Sequence, residues 1–197
     1  AVGDVVVFGD TISADQTITI PDSTTITVGG LRFASHHAYK IAATGSGALR
    51  FPSTVGPSMI DLEQAGAAVP RITAPIQLSS SVAVIGTGEL SVGVMKGAGG
   101  LSVVSGTVKM MGASSYTGLT EIIAGAIAAG AENLMSKAST VSIAASGQLG
   151  LNGFSQEIAS LISEGGVDLG QNSATTFGVG HDGSDSIIEG PMTGKGM

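Results

Sequence analysis

The chain has no cysteine and no tryptophan, and its 197 residues include only 2 tyrosines and 5 phenylalanines. Without cysteine it can hold no disulfide, no thiolate metal site and no cysteine nucleophile. That absence leaves the compartment open, since cytosolic and exported chains can both lack the residue. The shortage of aromatics argues against a wide globular core, which large rings normally fill. Charge is scarce as well. Only 12% of residues are charged, and 8 Lys and Arg face 15 Asp and Glu for a net charge of −7. The cations are scattered along the chain, which disfavours nucleic acid and anionic membrane as partners, because both need concentrated positive charge. No apolar run approaches the roughly 18–20 residues of a membrane-spanning helix. No basic-then-apolar leader opens the chain, so any export signal is expected to lie outside it.

What is present is glycine, 31 residues of it, together with a 43% hydrophobic content that excludes disorder. Val, Ile, Leu and Ala in place of rings fit a narrow core lined by short strands. Short β-favouring runs recur at Val5–Phe8, Thr17–Ile20, Thr25–Val28, Ala48–Phe51, Val82–Ile85, Leu101–Val104, Thr107–Met110 and Val141–Ile143, and many of them, such as Thr17–Ile20, Thr107–Met110 and Val141–Ile143, alternate apolar with polar residues. That period of two predicts strands with one buried face. Turn residues separate the runs, at Pro21-Asp22-Ser23, Gly29-Gly30, Gly86-Thr87-Gly88 and Gly97-Ala98-Gly99-Gly100. A phrase of the type Gly-x-Gly-x-Leu opens strands at Gly45–Leu49, Gly86–Leu90 and Gly97–Leu101, with weaker echoes at Ala145–Leu149 and Glu164–Val167. The intervals are irregular. A solenoid tolerates this, because loops of different length can leave one corner of each coil.

The stretch Gly97–Gly130, GAGGLSVVSGTVKMMGASSYTGLTEIIAGAIAAG, gathers these features into one unit. With its G-x-G-x-L, G-T and Y-T-G-x-T phrases it resembles the passenger-associated repeat of bacterial autotransporters. The run Ser139–Gly170, containing Gly147–Phe154 and Ile158–Leu161, is similar to the segment that follows that repeat. Val28–Phe33 and Ala74–Leu78 resemble segments that precede it, so the likeness covers almost the whole chain. The resemblance implies an all-β fold, a right-handed, single-stranded parallel β-helix of the pectin-lyase-like kind, carried to the outer surface of a Gram-negative cell. At roughly 20 residues per coil the chain would make about ten coils. Residues 1–197 are expected to form a single β-helix segment with the repeat-like unit at 97–130. The closing Gly190–Met197 reads as another glycine corner cut short, as in a fragment of a longer passenger. The membrane barrel of the family is not part of this sequence, so any membrane link would run through that absent barrel.

No catalytic, cofactor-binding or metal residue is assigned, and no cofactor is expected. His36-His37 would have to supply two ligands from adjacent positions that face opposite ways, and a metal site needs three or four. A solvated loop is the better reading. Gly178–Asp185 is similar to a calcium-binding glycine turn but occurs once, and calcium takes six to eight oxygens, so a plain polar turn is expected. Thr17/Thr19 and Thr25/Thr27 form outward threonine pairs, but the pattern ends after two rungs and ordinary strand threonine explains it. The Asp residues are dispersed, mostly beside turns, without the paired carboxylates of a glycosidase or a nucleophile elbow. Tyr116 and Phe154 are expected to pack inward at corners, and Leu101 and Leu149 to point into the core.

The expected function is structural or adhesive: a stiff segment of an exported passenger, displaying surfaces to protein or glycan on host or neighbouring cells, with self-association open. Binding would use the loops Ala34–Tyr39, Ser53–Ser58 and Glu63–Arg71, which interrupt the rung pattern. Two alternatives stay open: a β-helical polysaccharide-active enzyme, and an oligomerising toxin-like passenger.

Overall fold

The computed structural model describes residues 4–52, 57–63 and 68–196. It is all-β, with no helix among the described residues, and it winds into a parallel β-solenoid of about eight turns. Each turn contributes one strand to each of two nine-stranded parallel sheets. The first sheet begins at Val5–Phe8 and Gly30–Phe33 and ends at Ile187–Ile188; the second begins at Gln16–Ile20 and Tyr39–Ala43 and ends at Met192–Thr193. A third face carries a four-stranded sheet of Thr25–Thr27, Ala48–Phe51, Ile76–Leu78 and Met95–Gly97, and later a pair, Gln156–Glu157 with Phe177–Gly178.

The turn count corrects the ten coils expected from a uniform period. From Val82 to Leu101 to Thr120 the register advances 19 residues per turn. At the N-terminal end it advances 25 residues from Val5 to Gly30 and 29 from Gly30 to Met59. Longer corners consume chain without adding rungs. The aromatics follow this difference in width. Phe8, Phe33, Tyr39 and Phe51 are all buried in the wide early turns, where Phe8 stacks on Phe33 at 4.8 Å between ring centroids and meets Tyr39 at 5.0 Å. The 19-residue turns close mainly around Val, Leu, Ile and Met, with Tyr116 as the one buried ring among their described residues.

Alternation decides which way each residue points. In Leu101–Val103 the two hydrophobes are buried and Ser102 between them faces out, and Leu149 is buried in Gln148–Gly150 in the same manner. Each inward residue stacks on its equivalent one rung away, as Val82, Leu101, Thr120, Val141 and Leu161 do along the first sheet. Ala126–Ala129 is a strand that its composition conceals, since alanine has low strand propensity. It is held by pairing on both sides, with Thr107–Met110 and with Gln148–Gly150. Gly97 sits at φ +120°, where a Cβ would run into the Leu78 carbonyl oxygen of the preceding turn. Only glycine fits that corner.

Between residues 111–119 and 130–140 the third face has no strand, and side chains take over the backbone groups that a ladder would have satisfied. Gln156 Oε1 accepts from the Leu134 and Met135 amides, at 2.8 and 3.1 Å, while its Nε2 donates to Ala131 O. Ser136 Oγ donates to Tyr116 O. Tyr116 Oη lies 2.6 Å from Thr120 Oγ1, which lies 2.8 Å from Ser139 Oγ, which donates to Gly118 O. Tyr116 is thus the inward residue expected of it, with its polar tip satisfied inside the coil. Phe154 is different: it is only half-buried, because the corner at Asn152-Gly153, with both residues at positive φ, leaves it at the rim of the core.

Candidate functional site

The sequence expectation placed binding on three loops. In Ala34–Tyr39 the structure brings both histidines against acids of the preceding turn. Asp10 accepts from the His36 amide at 3.0 Å and lies 2.6 Å from its Nδ1, and also accepts from Ser35 Oγ. These bonds, the backbone one foremost, hold the Asp10 carboxyl below the usual carboxylate range. His37 Nδ1 lies 4.0 Å from Asp15, whose carboxylate caps the Ala38 amide at 2.8 Å. Tyr39 donates its hydroxyl to Gly9 O. The His36-His37 loop is therefore exposed yet tied to its neighbour, and the serine donates to the aspartate instead of to a histidine, so no nucleophilic triad forms here.

Of the other two loops, residues 53–56 and 64–67 lie outside the described residues. At the ends of the last loop, Glu63 pairs with Arg32, and Val69 and Arg71 line an open groove. The turn at Gly178–Asp185 is closed on itself: Asp182 accepts from both the amide and the hydroxyl of Ser184 at 3.0 Å. Among the described residues no three His, Asp or Glu side chains gather as a metal-binding group would require. The threonine pairs lie on different faces, Thr17/Thr19 in the second sheet and Thr25/Thr27 in the third, so they build no common array.

The site that sequence reading missed is a row of cations. Along the outer side of the second sheet the register aligns Thr17 with Lys40, Lys40 with Arg71, Arg71 with Ser91 and Ser91 with Lys109. Lys40 and Lys109 are 69 positions apart in sequence, yet they stand on the same outward row. Strands about 4.8 Å apart put Lys40 and Arg71 one rung apart and Lys109 two rungs further. None of the three forms an ion pair with a described residue. Two hollows flank the row and share Val69 and Arg71. One, of 710 Å³, adjoins Lys40 and Thr17 and is bordered by Asp15 and His36; the other, of 200 Å³, adjoins Ser91 and Lys109 and is bordered by Glu89. Further along, the same row becomes Ala128, Gly150 and Asp168. The change of sign reflects the whole chain: six of the cations precede residue 121, whereas eight of the acids lie at or beyond it.

The third face repeats the arrangement on a smaller scale, with Arg50, Gln77 and Lys96 in register. Arg50 there donates to Ser79 Oγ. No protein-family model matches the chain, and no curated protein or solved structure matches it significantly.

Proposed function

We propose that this chain is a structural and adhesive segment of an exported, autotransporter-like passenger, held at the bacterial surface and used for attachment to protein or glycan on host or neighbouring cells. The reading is supported above all by the way the solenoid separates support from display. Inward residues and corner glycines hold the coil, while the outward rows are free to carry recognition over many rungs without disturbing the core. The likeness of Gly97–Gly130 to a passenger repeat supplies the cellular setting. The test is surface display of the full protein on a non-adherent bacterium, with attachment and cell–cell aggregation counted. Increased attachment that disappears on deleting these residues is the expected result. Attachment and aggregation that are the same with and without them would refute the adhesive role.

A further inference from the structure

We infer that the outward row Lys40–Arg71–Ser91–Lys109, with its two flanking hollows, is a binding track for a linear acidic polysaccharide lying along the solenoid axis. The inference deepens the attachment reading and rests on it for its setting, but the groove itself stands on geometry and charge. A β-solenoid repeats every strand spacing, about 4.8 Å, so a row of side chains along it is a straight ruler. One sugar residue covers a comparable length, and an extended polymer of acidic sugars presents charge at intervals the ruler can meet. The track is continuous: Val69 and Arg71 belong to both hollows, so a chain passing Lys40 is led on towards Lys109.

The lining chemistry favours sugar over nucleic acid. Thr17 and Ser91 offer hydroxyls along the row, suited to a hydroxyl-rich ligand. Among the described residues, the rings at the hollows are Tyr39, which is buried and spends its hydroxyl on Gly9 O, and the imidazole of His36, which is held by Asp10. Binding of single-stranded nucleic acid relies on a series of exposed rings for base stacking, and among the described residues the row offers only the single imidazole of His36. Three cations against a net charge of −7 give a local, directional attraction without the broad positive field that nucleic acids require. Asp168, further along the same row, repels a polyanion that extends beyond Lys109, which confines the ligand to the early turns.

The test uses the purified full chain and polygalacturonate fragments of defined length, with titration calorimetry at low and at physiological salt. Binding is expected at low salt and should weaken as salt rises, because exposed charges are screened. Lys40→Gln, Arg71→Gln and Lys109→Gln should each weaken binding roughly two- to fivefold, and the triple variant by more than tenfold. The pair Arg50→Gln/Lys96→Gln, on the neighbouring face, should leave affinity unchanged. Circular dichroism of each variant should match the parent, since all these side chains lie on the surface. The inference is overturned if the triple variant binds as the parent does, if the neighbouring-face pair loses as much, if dextran binds equally, or if single-stranded DNA of matched charge binds more tightly. Groove binding that survives in a protein conferring no attachment on cells would defeat the adhesive reading alone. Attachment unaltered by the triple variant, with polygalacturonate unbound, would defeat the groove alone.

Discussion

Replacing Tyr116 by phenylalanine tests the interior of the repeat unit. Ser139 Oγ donates to Gly118 O, so it accepts from Thr120, and Thr120 in turn accepts from the Tyr116 hydroxyl. The phenol heads this chain as a donor. Tyr116→Phe keeps the ring in place and leaves Thr120 without one partner, a loss of about 1 kcal/mol at neutral pH. Burial pushes the Tyr116 phenol up to about 12, despite the opposing hydrogen bonds to Thr120 and Ser139. An unfolded tyrosine titrates near 10. Between those values the folded state holds the proton that the unfolded state releases, so stability falls as pH rises through this window and is complete below it. By pH 11 the loss attributable to this residue is about 1.4 kcal/mol, enough to cancel what its hydroxyl contributes at neutral pH. The parent should therefore exceed Tyr116→Phe in urea midpoint at pH 7, and the two should converge near pH 11, as followed by circular dichroism. A difference between them that is constant from pH 7 to pH 11 would show that the phenol is not held neutral in a dry interior.

Leu101→Asp or Leu149→Asp buries a charge among stacked aliphatics and should abolish the cooperative thermal transition, since an unpaired buried charge costs several kcal/mol; an unchanged melting temperature in either variant would refute the inward assignment. Gly97→Ala places a Cβ against the Leu78 carbonyl at φ +120° and should cost about 1–3 kcal/mol in chemical denaturation. Gly9→Ala, where a Cβ meets nothing, should stay within about 0.5 kcal/mol. Equal effects of the two alanines would show that the corner geometry is not what retains glycine.

Much of the coil was legible because its signals are local. The alternation in Leu101–Val103 and Thr107–Met110 follows from strand geometry alone, and the glycine phrases mark corners wherever they occur. What escaped had no local signal. Ala126–Ala129 lacks strand propensity and is a strand because its neighbours on both sides are strands. Gln156 reads as an ordinary polar residue, yet it is fully buried and satisfies two amides of the preceding turn. The binding row was invisible for the same reason. Lys40, Arg71 and Lys109 look scattered in sequence, and the corner lengths between them, which set the register, follow no fixed period.

By itself, then, the sequence determined that this chain is a stack of short strands around a narrow aliphatic core, because strand alternation and glycine corners are properties of a few consecutive residues. Tertiary structure alone decided how many turns the stack has and which charges share a row. Those depend on register between residues 18 to 31 positions apart, which the packing of each turn on the next selects and no local pattern encodes.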